Sequence, residues 1–285
     1  MTINQLFVRL IPFYRKLPGP LKAALRPVHK AYQWTQRRRS VVATVDGITY
    51  HLDLGEFIDS SIYFTGCFEP HTTAAIERLC REGMTVVDIG ANIGCHTLRF
   101  AKLAGATGRV IAFEPMAWAH AKLLRNFELN DFQNVTFEKI ALSDRDERKA
   151  VYFRTSWLRE NKSNPVSLAD EPNTFTTLDN YLEKHNIDNV SFIKLDVDGY
   201  EFKVIRGAAR TLGAYHPTIL IELGTLQHDS GSDGLKDMVT FLSELGYKFY
   251  DESTLEMYPD TSAVIAAIPE GATMNVILSA SDLRL

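Results

Sequence analysis

The sequence lacks the features that would place it in several broad classes. Its 285 residues include only three cysteines, Cys67, Cys80 and Cys95, and their spacing is not that of metal ligands. This argues against a disulfide framework and points to a reducing compartment, so the cytoplasm is the expected location. No apolar run approaches the ~18 residues of a bilayer-spanning segment. The opening MTINQLFVRLIPFYRKLPGP makes a poor secretory signal, because Arg9, Pro12, Arg15 and Lys16 break its apolar run. Internal repeats and low-complexity tracts are also missing. What remains is ordinary globular composition, 45% hydrophobic and 23% charged.

Acidic residues are missing from one region altogether. Residues 1–40 hold nine Lys/Arg and no Asp or Glu, which leaves 22 basic against 35 acidic residues in the remainder, a balance of −13. Leu6, Phe7, Leu10 and Ile11 fall on one helical face of this arm, and Pro12, Pro18, Pro20 and Pro27 divide it into short helical pieces. Two readings stand: peripheral attachment to an anionic membrane surface, or packing of the arm on its own acidic body. Nothing in the sequence specifies an oligomeric state.

Residues 1–40 are therefore read as a basic helical arm and 41–285 as one catalytic domain. Within that domain, 41–83 form a hairpin around Asp46-Gly47 and a helix from about Pro70 to Arg81. From Met84 onward strands and helices alternate. MTVVDIG, RVIAFEP, NVTFEKIAL, VSFIKLDV and HPTILIELG are short apolar runs of the kind buried on both faces of a parallel sheet. CHTLRFAKLAG, WAHAKLLRNFELN and YEFKVIRGAARTLG supply helices between them, and an added hairpin and loop is expected at about 144–176. The helix LKDMVTFLSELG precedes YKFYD, and TMNVILSA is the expected antiparallel strand. The predicted fold is thus a Rossmann-like α/β domain with a mostly parallel seven-stranded sheet and helices on both faces.

A second absence narrows the chemistry. In VVDIGANIG a buried strand ends at Asp88 and turns at Gly90 into a helix opening near Gly94, where open α/β sheets bind cofactors. A dinucleotide fingerprint has a middle glycine that admits a pyrophosphate, and here Ala91 and Asn92 occupy that opening. No Gly-Lys-Ser/Thr phosphate loop follows either. A nucleoside cofactor without phosphates fits better, with Asp88 near its cationic end. Glu114, 24 residues beyond Gly90 at the next strand tip, suits both ribose hydroxyls. Ser143 and Asp144, in IALSD, fall where an adenine would lie, and Asp196, in KLDVDGYE, projects toward a reactive centre.

The run GMTVVDIGANIG…IAFEP…ALSD…FIKLDVDGYEFKVIRGA…ILIELG resembles the FkbM-type methyltransferase family over roughly residues 60–250. The resemblance implies an S-adenosylmethionine cofactor held by the glycine motif at Asp88, Gly90 and Gly94, with Glu114 on the ribose. Asp198 departs from the family's commoner glutamate in DVEGYE. Upstream, TGCFEPHTT also matches, which adds Glu69 and Thr72 beside the methionine end; His71 is more ambiguous and reads first as a surface or packing histidine. The expected binding set is Glu69, Thr72, Asp88, Gly90, Asn92, Gly94, Glu114, Ser143, Asp144 and Asp196.

The resemblance implies O-methylation, often of a sugar or polyketide hydroxyl, and the expected acceptor is a hydroxyl of a sugar, glycan or glycolipid-type molecule. Asp196 is the expected group to orient or deprotonate that hydroxyl. No metal ligand is assigned, although Asp196 and Glu222 at neighbouring strand ends offer a Mg²⁺ alternative. Another small natural product, a nucleic acid or a non-catalytic adaptor role are the competing readings. The acidic body and the absence of an NPPY-type motif weigh against nucleic acid.

Overall fold

A computed structural model describes residues 11, 14, 19–149, 173–224 and 231–283. Helix α1 (Gly19–Gln36) leads into the hairpin β1 (Ser40–Val45) and β2 (Ile48–Asp53), followed by helices α2 (Phe57–Thr65) and α3 (Pro70–Leu79). Then come β3 (Thr85–Ile89), α4 (Cys95–Ala104), β4 (Arg109–Phe113), α5 (Ala117–Glu128), β5 (Val135–Glu138), β6 (Ala141–Leu142), β7 (Glu147–Lys149) and β8 (Asn173–Thr176). The chain continues through α6 (Leu178–Lys184), β9 (Phe192–Leu195), α7 (Glu201–Gly207), α8 (Ala209–Tyr215), β10 (Thr218–Gly224), α9 (Gly231–Glu244), β11 (Lys248–Asp251), α10 (Thr261–Ala267) and β12 (Thr273–Ser279).

The central sheet has seven strands in the order β11-β12-β10-β9-β3-β4-β5. β12 runs antiparallel to β10 and β11, between them rather than at the edge, while the β10–β9, β9–β3, β3–β4 and β4–β5 pairs are parallel. The expected Rossmann-like architecture is therefore present. Strand order reverses between β3 and β9, and a crevice opens beyond their carboxyl ends.

Side-chain alternation sorts residues between the two faces of the sheet. Val87, Ile89, Ile193, Leu195, Ile219 and Ile221 join one core with α6–α10. Val86, Val110, Phe192 and Leu220 join another with α3 and α4. The even-numbered residues that follow these, Asp88, Glu114, Lys194, Asp196 and Glu222, thus share the α3/α4 side.

The hairpin matches its sequence signal. Asp46 and Gly47 have φ 52° and 74°, and Val45 pairs with Ile48 across a two-residue turn with both central residues left-handed, as a type I′ turn requires. Its outer edge is closed by two asparagines of the α5 region. Asn126 Oδ1 accepts from His51 N at 2.8 Å and its Nδ2 donates to Ile93 O at 2.9 Å, while Asn130 accepts from Thr49 N and donates to Thr49 O. Asn126 therefore ties the hairpin to the segment between β3 and α4. Asn126→Ala would leave a half-buried N–H and a buried carbonyl unpaired, and is expected to lower unfolding free energy by about 1–3 kcal/mol in urea titration.

Three expectations are corrected. Pro27 does not divide the arm: α1 runs unbroken through Pro20 and Pro27. Pro27 is exposed, so water can satisfy the backbone carbonyl whose hydrogen bond it forgoes. NVTFEKIAL is not one strand, because β5 stays in the main sheet while β6 leaves to join β8 and β7 in a small three-stranded sheet. YEFKVIRGAARTLG breaks at Ala208 into α7 and α8. There the β6 exit crosses so closely that a Cβ on Gly207 would lie 2.0 Å from Ser143 O. Of the hairpin expected at 144–176, the β7–β8 pairing is present and residues 150–172 lie outside the described set. Of the arm's expected apolar face, Leu6, Phe7 and Leu10 also lie outside it, but Ile11 is buried in one cluster with Tyr32, Tyr50 and Phe64.

Candidate active site

At the switch point the chain after β3 turns back under the end of β9. Gly90 has φ 82°, and a Cβ built on it would sit 1.8 Å from Asp196 O. Gly90 N and Ala91 N both donate to Phe113 O at 3.0 Å, and Asp196 N donates to Ile89 O at 3.1 Å. The tips of β3, β4 and β9 are thereby bound together. Above them lies a cleft of about 210 Å³ lined by Glu69, Gly90, Asn92, His96, Glu114, Met116, Lys194, Asp196, Asp198 and Glu222, among others. A larger hollow of about 610 Å³ at Arg109 and Asn134 lies at the amino ends of the strands, away from these carboxylates.

Glu114 is buried, and each of its oxygens accepts one backbone N–H, Oε2 from Asn92 and Oε1 from Met116, both at 2.8 Å. Burial pushes its carboxyl up to about 7 against the pull of those donors and of Lys194. Asn92 has φ 50°, and its buried Oδ1 has no hydrogen-bond partner among the described residues.

Lys194, 3% exposed, is the cation at the centre of the site. The β3–β9 register sets it opposite Asp88, and its Nζ donates to Asp196 Oδ2 at 3.1 Å. Burial opposes its charge, but Asp196, Asp88 and Glu69 outweigh that and raise it. Beyond Asp196, the loop is held by the buried carboxylate of Glu201, which accepts from Val197 N at 2.9 Å and Gly199 N at 3.2 Å. Asp198 and Gly199 take left-handed conformations there. On β10, Glu222 accepts from Thr273 Oγ1 at 2.6 Å. Burial, then the neighbouring Asp196 charge, push Glu222 up to about 7.

At the cleft's other side Glu69 faces His96, with Oε2 to Nε2 at 3.2 Å. Burial pushes the Glu69 carboxyl up, but His96 and Lys194 outweigh it and hold it below its ordinary value. His96 is raised despite its burial, with Cys95 and Glu69 favouring its charged form. His71, read from the sequence first as a surface or packing histidine, is exposed.

Of the ten expected binding residues, Glu69, Gly90, Asn92, Glu114 and Asp196 line one cleft. The other five do not line it. Asp88 lies buried beneath the floor, accepting from Thr97 Oγ1 at 2.6 Å, with Oδ1 unpartnered. Gly94 serves packing, since a Cβ there would lie 2.5 Å from Leu123 Cδ1. Thr72 is buried, donating to Glu252 and accepting from Asn275. Ser143 and Asp144 leave with β6, and Asp144 pairs with Arg206 of α7 at 2.9 Å. Among the described residues no cluster of three or more His, Cys, Asp or Glu is arranged to hold a metal ion.

"Methyltransferase 1" of Beauveria bassiana is 25% identical over 173 residues, which make up 53% of this chain and 66% of that protein. The crystal structure of a methyltransferase FkbM from Methylobacillus flagellatus matches with 16% identity and a TM-score of 0.48, over 76% of this chain and 52% of the other. Aeropyrum pernix fibrillarin, solved with natively bound S-adenosyl-L-methionine, matches with 13% identity and a TM-score of 0.43, over 85% and 83% of the two chains. This chain therefore spans about half to two thirds of the first two proteins' lengths. The profile of the methyltransferase FkbM domain matches residues 88–249, more than half of the sequence and the stretch from Asp88 through Glu222, and the chain belongs to that family.

Proposed function

We propose that the protein is an S-adenosylmethionine-dependent methyltransferase acting on a hydroxyl of a sugar, glycan or similar polyhydroxylated acceptor. The observation that carries this reading is Glu114: a buried carboxylate beside a glycine turn at the switch point, anchored through one N–H on each oxygen. Its remaining lone pairs suit the two hydroxyls of a ribose. The unpartnered Oδ1 of Asn92 supplies a further acceptor, and the Asn92 side chain stands where a dinucleotide site needs bare backbone. The cleft's carboxylates, Asp196, Asp198 and Glu222, suit a neutral hydroxyl-rich acceptor and oppose a phosphorylated one.

Bound in this cleft, S-adenosylmethionine supplies an electrophilic methyl group. The chain's own task is to hold the acceptor oxygen in place and take its proton. Asp196 is fixed by Lys194, so it is suited to orienting the hydroxyl. Glu222 keeps one oxygen free of the Thr273 contact and is suited to receiving the proton.

Calorimetric titration with S-adenosylmethionine and, separately, NAD tests the cofactor assignment. Binding of the first alone is expected, and binding of NAD alone would overturn it. Profiling with methyl-labelled cofactor against glycans, glycolipids and small hydroxylated metabolites then tests the acceptor class. Glu114→Ala is expected to weaken S-adenosylmethionine binding by about 1.5–3 kcal/mol, the size of a charge-assisted hydrogen-bonded pair. In the wild type, affinity should fall as pH drops through about 7, where Glu114 takes up a proton and loses acceptor capacity. Affinity unchanged by both substitution and pH would remove Glu114 from the site.

A further inference from the structure

Helix α1 carries an apolar stripe that, among the described residues, is buried at one end and half-exposed along the rest. Leu21, Leu25, Val28 and Tyr32 recur at i, i+4, i+7 and i+11, one face of the helix. Tyr32 is buried, its ring edge-on to Phe64 with centroids 6.0 Å apart. Leu21, Leu25 and Val28 on the same stripe are 53%, 44% and 52% exposed. Arg26, Lys30 and Arg38 are exposed and make no ion pair among the described residues.

We propose that α1 is an interfacial docking helix that seats the protein on an anionic bilayer, with Leu21, Leu25 and Val28 entering the headgroup boundary and the basic residues of the helix's other face and of the turn after it supplying the attraction to lipid charge. A stripe of half-exposed aliphatics on a basic helix is the pattern of such segments. Charge complementarity favours this occupant, since the first 40 residues hold nine basic and no acidic side chains. A second copy of the chain fits less well: three aliphatic side chains fall far short of the ~800 Å² per partner that a stable interface buries. The contact also differs from the face read in the sequence at Leu6–Ile11, because Ile11 is part of the hairpin's core.

The experiment sediments the full chain with vesicles of phosphatidylcholine alone and of phosphatidylcholine with phosphatidylglycerol, at low and high salt. Binding to the anionic vesicles, weakened by salt, is expected. Arg26→Gln/Lys30→Gln/Arg38→Gln should lower partitioning about 10²-fold, given roughly fivefold per basic residue. Leu21→Ser/Leu25→Ser/Val28→Ser should lose binding without changing the circular dichroism melt, since all three side chains are exposed. Arg26→Lys/Lys30→Arg should bind as the wild type does. The proposal fails if the wild type stays in the supernatant with anionic vesicles at low salt, or if either triple variant sediments like the wild type. It also fails if the serine variant alters only the solution mass, which would assign the stripe to a second copy, or only the melt, which would assign it to the chain's own first residues.

Discussion

Gly90→Ala is expected to destabilise the protein by about 3–5 kcal/mol and to abolish S-adenosylmethionine binding in whatever fraction folds. Two costs combine. The residue sits at φ 82°, where a side chain is strained, and the added Cβ would lie 1.8 Å from Asp196 O and 2.9 Å from Asp196 C. Those atoms belong to backbone, so no side chain can swing aside. Nor can the strand end retreat, since Asp196 N is bonded to Ile89 O and β9 is buried between β3 and β10. The loss is a large share of a typical 5–15 kcal/mol stability. Gly213→Ala is the control: this glycine is within α8, a methyl added to it would meet no heavy atom within 4 Å, and the variant should gain about 0.5–1 kcal/mol. Urea titration of both variants with calorimetry on the folded protein decides the matter. If Gly90→Ala unfolds with the wild type and binds the cofactor normally, the close approach to Asp196 does not constrain this position.

The glycine turn is legible in the sequence because a requirement for left-handed backbone at a strand end restricts residue type. Glu114 is legible through its spacing. Lys194 is not: a single lysine inside FIKL carries no local sign of its role, and only the pairing of β9 with β3 sets it beside Asp88. Pairing register is a property of the assembled sheet. His96 is hidden in the same way, within a run whose periodicity reads simply as helix, while the exposed His71 stands out through its motif. That Ser143 and Asp144 follow β6 out of the main sheet is not legible, because NVTFEKIAL contains no breaker to mark where β5 ends. Gly94 reads as a cofactor residue although the space it keeps clear belongs to Leu123. In each case the sequence carries the conformational need, and the partner comes from tertiary structure.

Asp196→Asn and Glu222→Gln are each expected to lower kcat by about 10²–10⁴ once an acceptor is in hand, with different pH signatures. The two carboxylates close adjacent strands, and only Asp196 has a buried lysine on it. Burial, joined by the repulsion of Asp196, pushes Glu222 up to about 7. A proton acceptor works when ionised, so at saturating cofactor the wild-type kcat should climb as pH rises through about 7 and level off above it. Saturation matters because it removes the separate effect of Glu114 on cofactor affinity. Replacing Asp196 with asparagine deletes the like charge, so the residual activity should level off at lower pH than in the wild type. Replacing Glu222 with glutamine should erase the limb altogether. Thr273→Val, which removes the hydroxyl that favours the charged form of Glu222, should shift the limb upward while leaving the plateau within about tenfold. A limb that stays near 7 in the Glu222→Gln variant would assign the proton to a different group. Rates unchanged in both carboxylate variants would leave cofactor binding intact and take acceptor activation out of this pair.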